Sequence, residues 1–474
     1  MTTAFNGADA MVRMLQLNGV KHIFGLCGDT SLPFYDAMAR LDHGMDHILT
    51  RDERSAGYMA DAYARVTGKV GVCEGPSGGG ATYLLPGLAE ANESSVPVLG
   101  ITSDVSVGAR GKFPLTELDQ QALYRPLTKW NTTIDRVDQI PHAVRSAFRA
   151  MTTGRPGATH ICLPYDVQKH ALDPADVWAQ PGHDRYPAYR SAPDPAAVAE
   201  AADRLVAARC PVLICGGGVL IAGASAALDA LATLLNAPVC SSVSGQGSLA
   251  GSHPLNAGVV GTNGGVEATR AVVAQADLVM FIGARAGSTT TEHWQMPSRK
   301  VTIVHLDVDA MTIGTNYRTD VALVGDACWA CRRCTRPCSS ASPAAPPMPR
   351  TAPRWRPPRA PPSRPSSRRW PPRWSAPSSP SAWWTRSTAC CPRAPSWWPT
   401  PAHPAPTSRP ISTRPRPAGT SSPTARTGRW ALPCPPALAQ PSASPIPWSS
   451  RSWVTAVSAS PAANWKPSCA ATCR

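Results

Sequence analysis

Short apolar runs alternate with longer amphipathic stretches through the first part of the chain. The runs fall at residues 21–26, 47–49, 70–73, 97–101 and 159–163, and an amphipathic first helix precedes them and ends at Gly19. Runs of this length separated by helical patterns are typical of a doubly wound parallel α/β sheet. We therefore predict that residues 1–180 form one α/β domain.

A second domain shows the same alternation of apolar runs and helical patterns. Residues 181–195 are polar and proline-bearing, which predicts a linker, and a helical pattern begins at residue 196. Apolar segments at 211–220, 237–247, 276–287 and 300–310 then predict a second parallel, Rossmann-like sheet over residues 196–327. The glycines at 216–218 follow a strand, but tight turns also need glycine, so we do not assign a dinucleotide site to them.

The stretch at residues 46–93 carries the clearest candidate chemistry. A short strand turns at Arg51-Asp52-Glu53 into a helix of small residues, and a second strand breaks into a glycine-rich loop at residues 75–80 before another helix. Acidic residues are common in the first turn of any helix, so Glu53 alone has an ordinary explanation. The strand–loop–helix order nevertheless predicts a ligand-binding edge of the sheet.

The order of these blocks resembles the pyrimidine-binding domain of thiamine-diphosphate enzymes, and specifically the acetolactate synthase group. The resemblance rests on RDE at residues 51–53, the small-residue helix, GKVGVC and the glycine-rich turn. It continues on both sides through VKHIFGLCGDTSLPFYDAM, VPVLGITSDV, RPLTKWN and RPGATHICLPYDV.

The resemblance implies a role for each of these residues. Glu53 would be the buried carboxylate that binds the pyrimidine ring nitrogen of thiamine diphosphate and so promotes loss of the thiazolium C2 proton. Gly28, Gly78, Gly79, Gly80 and Thr82 would lie near the pyrimidine. The implied activity is decarboxylation of a 2-oxo acid such as pyruvate and transfer of the two-carbon unit to an acceptor. The family works with Mg²⁺, as a homodimer or tetramer whose site forms between two chains.

Three departures from the family pattern concern the substrate and one concerns FAD. Leu115-Thr116-Glu117 stands where acetolactate synthases carry Phe-Gln-Glu, Tyr83 replaces an asparagine, and Thr102-Ser103-Asp104 replaces Thr-Gly-Gln. Another thiamine-diphosphate decarboxylase, or an acetyltransferase resembling sulfoacetaldehyde acetyltransferase, therefore remains an alternative. The family's Arg-Phe-Asp-Asp-Arg stretch keeps only its first arginine, Arg285, so the sequence leaves FAD binding open.

The composition changes abruptly after Ala327. Residues 328–474, called the C-terminal segment below, contain no Asp, Glu, Phe or Tyr, and they carry 20 Arg, one Lys and twelve Trp. At face value they form a disordered, low-complexity tail rich in Pro, Arg, Ser and Trp, which would bind nucleic acid or a partner protein. Cys328, Cys331, Cys334 and Cys338 also have the spacing of a ferredoxin cluster run, although the proline that usually follows the fourth cysteine is replaced by Ser339.

A frameshift explains the C-terminal segment better. Read one nucleotide upstream, the codons of residues 453–460 permit Met-Gly-Asp-Gly-Ser-Phe-Gly-Phe, which contains the start of the family's diphosphate and magnesium motif. Residues 421–436 permit Phe-Ile-Thr-Asn followed by Leu-Gly and Leu-Pro-Ala, and residues 328–338 permit Leu-Leu-Gly-Leu-Gln-Ala-Leu-His-Ala-Ala-Leu. We therefore expect a frameshift near Ala327 in the diphosphate-binding domain. The chain as written lacks metal ligands and is expected to be inactive, or to be a non-catalytic fragment.

The net charge of +15 comes from the C-terminal segment and does not describe the two predicted domains. The C-terminal segment holds 21 of the 46 basic residues, so the first 327 residues carry 25 basic against 31 acidic groups and predict no nucleic-acid partner.

The N-terminus lacks the features of a signal peptide, and no apolar run reaches about 18 residues, so we expect no membrane association. Singly placed cysteines favour reduced thiols in the cytoplasm.

Overall fold

A computed structural model describes residues 4–340 of the protein, and two six-stranded parallel sheets organise them. This confirms the predicted α/β class. The first sheet and its helices comprise α1 (Gly7–Leu17), β1 (His22–Gly25), α2 (Leu32–Arg40), β2 (Asp46–Leu49), α3 (Glu53–Thr67), β3 (Gly71–Gly75), α4 (Gly79–Glu93), β4 (Val98–Asp104), α5 (Gln120–Tyr124), β5 (Trp130–Thr133), α6 (Ile140–Thr152), β6 (Thr159–Pro164) and α7 (Tyr165–Lys169).

The first sheet has the strand order β2-β1-β3-β4-β6-β5, with every pair parallel. Two apolar clusters cover its faces: one contains Phe34, Val72 and Phe148, and the other contains Cys73 and Leu88. All five predicted strands are present. Short 3₁₀ turns lie between these elements, at Asp29–Ser31, Val107–Ala109, Arg125–Leu127 and Val137–Gln139, and after α7 at Pro174–Asp176.

Helices α3 and α4 approach each other through glycine. A Cβ built on Gly87 would lie 2.6 Å from the backbone of Gly57, and one built on Gly57 would lie 3.0 Å from the Gly87 Cα. Buried alanines extend the same contact. The small residues therefore let the two helix backbones pack closely against each other.

The second sheet is also parallel. Its elements are α8 (Pro195–Ala207), β7 (Pro211–Cys215), α9 (Gly217–Ile221), α10 (Ser225–Leu235), β8 (Val239–Ser241), a 3₁₀ turn (Val243–Gly245), β9 (Asn256–Val259), α11 (Glu267–Ala274), β10 (Leu278–Ile282), β11 (Thr302–Asp307), β12 (Val321–Val324) and α12 (Ala327–Ser340). The strand order is β12-β11-β10-β7-β8-β9. Strand β10 is buried along its whole length, as the run of apolar residues predicts.

Helix α12 begins at the residue where the composition changes. Asp326 accepts the backbone N–H groups of Cys328 and Trp329, and Cys331 and Cys334 pack into the core of the second sheet. Cysteine behaves here as a small apolar side chain. The predicted disordered tail began at residue 328, and this part of the prediction is wrong, because residues 328–340 lie in a helix that buries Cys331 and Cys334. Residues 341–474 lie outside the described residues.

The predicted linker packs against helices α3 and α6 of the first domain. The Tyr186 hydroxyl donates to the carbonyl of Ala64 at 2.9 Å, and His183 is buried with its Nδ1 2.7 Å from Thr152 Oγ1. Arg190 pairs with Asp326 at 2.9 Å. Segment 181–195 therefore connects the two domains and contacts both of them.

Candidate active site

Glu53 opens α3 at the carboxyl edge of the first sheet. The helix starts there because Asp52 is its N-cap and accepts the backbone N–H of Arg54 at 2.8 Å. The Glu53 residue is only 7% exposed. Among the described residues, no hydrogen bond or ion pair engages its carboxylate. The carboxylate is therefore available to a ligand.

The loop after β1 and the glycine-rich turn after β3 meet beside this carboxylate. A Cβ on Gly80 would lie 3.1 Å from Glu53 Oε1 and 2.5 Å from Pro76 Cδ, and one on Gly28 would lie 2.5 Å from Pro76 Cβ. Only glycine fits at both positions. The structure therefore places Gly28, Gly80 and Glu53 around Pro76.

The other residues singled out in this turn differ in their surroundings. Gly78 has φ +69°, and a Cβ there would lie 2.7 Å from Thr116 Cβ, so the turn itself requires glycine. A Cβ on Gly79 would have no atom within 4 Å among its neighbours. Thr82 is half-buried, and its hydroxyl donates to the Gly79 carbonyl at 2.8 Å. Gly79 is thus the residue of this turn that is open to a ligand.

Four hydroxyl side chains form a cluster in the same region. Thr30 Oγ1 lies 2.7 Å from Ser103 Oγ and 3.1 Å from Ser77 Oγ, and Ser77 Oγ lies 2.6 Å from Thr116 Oγ1. The four residues come from four separate segments, so their meeting had no local sequence signal. Ser103 and Thr116 are two of the positions where the chain departs from the acetolactate synthase pattern. Two of the departures, Ser103 and Thr116, therefore meet in this cluster.

A second buried carboxyl group, Glu74, lies on β3 and was not predicted. It is 1% exposed, its Oε2 lies 2.5 Å from the Tyr35 hydroxyl, and its Oε1 has no partner among the described residues. Burial raises the pKa of Glu74 to about 8, with the charge of Glu53 as a smaller contribution. A glutamate in an otherwise apolar run, GVCEG, was the available signal.

The second sheet opens onto a cavity of about 450 Å³. The turns after β7, β8, β10 and β11 line it together with residues 93–95 and 154–156 of the first domain. A Cβ on Gly218 would lie 2.7 Å from the Gly283 Cα, so close turn packing explains this glycine. Arg285 binds the carbonyl of Glu93 at 2.9 Å and its carboxylate at 3.3 Å. The single residue shared with the family's FAD stretch thus connects the two domains.

The geometry around Glu53 fits the pyrimidine half of thiamine diphosphate. It offers an unpartnered buried carboxylate and a glycine cradle with one open position, Gly79. Within residues 4–340, no group of three or more His, Cys, Asp or Glu side chains could hold a metal ion, and no helix is long and apolar enough to cross a membrane. The predicted magnesium motif falls at residues 453–460, outside the described residues.

Comparison with known proteins agrees with the resemblance found in the sequence. Residues 5–123 match the N-terminal TPP binding domain of thiamine pyrophosphate enzymes, and residues 198–333 match their central domain. The chain is 39% identical over 323 residues to a probable acetolactate synthase large subunit of Methanocaldococcus jannaschii, covering 68% of this chain and 54% of that protein. It is 36% identical over 326 residues to acetolactate synthase of Arthrospira platensis, covering 68% and 56% of the two chains.

A third relative, the acetolactate synthase isozyme 3 large subunit of Escherichia coli, is 33% identical over 322 residues, which are 68% of this chain and 56% of that protein. The chain thus spans about half the length of the curated relatives that it matches. The matched parts are the two domains described above. The chain therefore belongs to the family of thiamine pyrophosphate enzymes, through its N-terminal and central domains.

Proposed function

We propose that this protein derives from an acetolactate synthase-like enzyme that decarboxylates a 2-oxo acid such as pyruvate and transfers the two-carbon unit to an acceptor. The observation that carries the proposal is the Glu53 carboxylate, which is buried and unpartnered among the described residues beside the glycine turn. Thiamine diphosphate, when bound, supplies the nucleophilic carbon and the electron sink that this decarboxylation requires.

The chain's own residues then have separate tasks. Glu53 accepts a hydrogen bond from a pyrimidine ring nitrogen, and its burial strengthens that bond because the local dielectric is low. Gly28 and Gly80 keep the space around the carboxylate free of side chains, and Gly79 lets the backbone approach the ring. Thr82 holds the turn through its bond to the Gly79 carbonyl.

The hydroxyl cluster favours an alternative substrate as the second candidate. Thr116 and Ser103 replace the family's Gln and Gly at positions that the structure brings together through Thr30 and Ser77. A polar cluster recognises hydroxyl, carbonyl or acid groups rather than alkyl groups. A different oxo acid or aldehyde, used by a related decarboxylase or acetyltransferase, is therefore the alternative to pyruvate.

We further propose that a frameshift near Ala327 replaced the diphosphate-binding domain. Similarity to the relatives extends over 322–326 residues, about as many as precede Cys328. Helix α12 buries Cys331, Cys334 and Cys338, and the shifted reading permits leucine at each of these positions. The helix face is therefore apolar in both frames, which explains why it packs on the second sheet although the frame has changed.

The test compares the chain as written with a frame-restored protein. We expect the restored protein to bind thiamine diphosphate with Mg²⁺ and to turn over pyruvate or another 2-oxo acid, and the written chain to turn over none. Binding without turnover of any oxo acid or aldehyde would overturn the activity. Absence of cofactor binding by the restored protein would favour a non-catalytic fragment.

Assembly, compartment and flavin content are part of the same proposal. We expect a homodimer or tetramer of the restored protein in the cytoplasm, because the family builds its site from two chains. FAD binding stays open, since Arg285 is the one residue of the family's stretch that the chain keeps and it pairs with Glu93. Sedimentation and the flavin absorbance of the purified protein test these points.

A further inference from the structure

Glu74, Tyr35 and His47 form a continuous hydrogen-bonded chain behind the glycine turn. The Tyr35 hydroxyl lies 2.5 Å from Glu74 Oε2 and 2.9 Å from His47 Nε2. Glu74 is at the buried end on the central strand β3. His47 is at the other end, on the edge strand β2, where it is half-buried. The chain therefore leads from the interior towards solvent.

A hydroxyl carries one proton, so Tyr35 donates to one neighbour and accepts from the other. If Glu74 is a neutral acid, its O–H donates to the Tyr35 oxygen and Tyr35 donates to His47 Nε2. If Glu74 is ionised, Tyr35 donates to the carboxylate and accepts from a protonated Nε2 of His47. The two arrangements use the same heavy-atom positions and hold the same number of protons, two of which have moved one place along the chain.

We propose that this chain is a proton-transfer path that keeps Glu74 as a neutral acid and exchanges its proton with solvent through His47. In the transfer the Glu74 O–H bond breaks as its proton passes to the Tyr35 oxygen, and the Tyr35 proton passes to His47 Nε2. The products are a glutamate anion and an imidazolium ion, with Tyr35 unchanged. No electron transfer or co-reactant is involved.

The surroundings of Glu74 and His47 favour the arrangement in which both groups are neutral. Burial raises the pKa of Glu74 to about 8 and lowers that of His47. Oε1 of Glu74 has no partner among the described residues, so an ionised carboxylate there would remain half unsatisfied. The groups that act on Glu74 are Tyr35 on α2, Glu53 on α3, Cys27 after β1, Cys73 on β3 and the Ser31 hydroxyl.

The consequence is a second carboxyl group near Glu53 that adds no negative charge at neutral pH. Two carboxylates that interact raise each other's cost of ionisation. Proton exchange through Tyr35 lets Glu74 respond to pH although it is buried. This inference concerns the chain itself and does not depend on the cofactor, so its failure and that of the proposed function are distinguishable.

Infrared and NMR titration of the full chain without cofactor test the proposal. We expect a protonated-carboxyl band at neutral pH that disappears with a midpoint near pH 8, is absent in Glu74→Gln and persists in Glu90→Gln, a matched change at an exposed glutamate. The His47 ring resonances should shift at the same midpoint, and this response should be lost in Tyr35→Phe.

Two results would overturn the proposal. One is a Glu74 band that is missing at neutral pH or unchanged in Glu74→Gln. The other is a His47 response that is the same in Tyr35→Phe as in the unaltered chain. Because Tyr35→Phe keeps Glu74 in place, the second result decides the matter even if Glu74→Gln does not fold.

Discussion

Oε1 of Glu53 lies 3.1 Å from the point at which a Cβ on Gly80 would sit. The helix that begins with Glu53 and the turn that leads into α4 therefore pack so closely that a single methyl group added at Gly80 would contact the Glu53 carboxylate. A side chain at position 80 would therefore compete for the space beside the carboxylate.

Substitution by alanine should therefore affect stability differently at Gly79 and at Gly80. Gly80→Ala should destabilise the chain by ~1–3 kcal/mol, because the methyl group would meet Pro76 Cδ at 2.5 Å. Gly79→Ala should cost nothing or stabilise by up to ~1 kcal/mol, since its Cβ meets no atom and alanine favours the helix. Urea unfolding of both variants measures the difference, and equal free energies of unfolding would contradict it.

Glu74 should impose a pH dependence on stability. Its pKa is about 8 in the fold against an ordinary 4.5, so the native state holds the extra proton and stability falls as pH rises from about 4.5 to 8. Glu74→Gln should therefore flatten the dependence in this window, gaining stability relative to the unaltered chain towards pH 8. Unfolding measured across the window checks this, with Glu90→Gln as the control.

His160 should make the stability of the fold depend on pH in the opposite sense, with a loss as pH falls. It stacks on Tyr124 with 3.6 Å between ring centroids, bonds Thr102 at 2.7 Å, and burial lowers its pKa from 6.5 to about 3. The unfolded chain binds the extra proton, so stability is lost as pH falls from about 6.5 to 3. His160→Phe keeps the stacking and should reduce this acid loss. An unchanged acid unfolding profile would show that His160 is not its source.

The sequence predicted the elements that place the site, because their apolar runs are long or strongly flanked by glycine. Strand β5 was not predicted, since Trp130–Thr133 is a half-buried edge strand of four residues and two of them are threonines. Strand β9, Asn256–Val259, was not predicted for the same reason: it is a half-buried edge strand of four residues.

Within the site, the position of Glu53 beside the glycine turn followed from the resemblance rather than from spacing alone. Glu74 was not predicted because pattern rules treat an acid within a strand as an exception to burial. The hydroxyl cluster was not predicted because Thr30, Ser77 and Ser103 lie on separate segments that only the fold brings together. Side chains joined by long-range contacts leave no local pattern to read.

The reading frame can be tested without an assay. Sequencing the gene across codons 320–335 should reveal a single-base difference from the frame that encodes Leu at 331, 334 and 338. If the shift is an error in the sequence, peptides of the native protein will contain those leucines and the Gly-Asp-Gly motif. Recovery of tryptophan- and arginine-rich peptides from residues 341–474 would instead show that the written frame is translated.

The most direct test of the central claim is the rate at which the C2 proton of bound thiamine diphosphate exchanges with deuterium, followed by NMR in the frame-restored protein. If Glu53 drives this deprotonation, Glu53→Gln should slow the exchange by about 10²–10⁴-fold, while Glu90→Gln leaves it unchanged. Bound cofactor that exchanges equally fast in Glu53→Gln would contradict the assignment of Glu53.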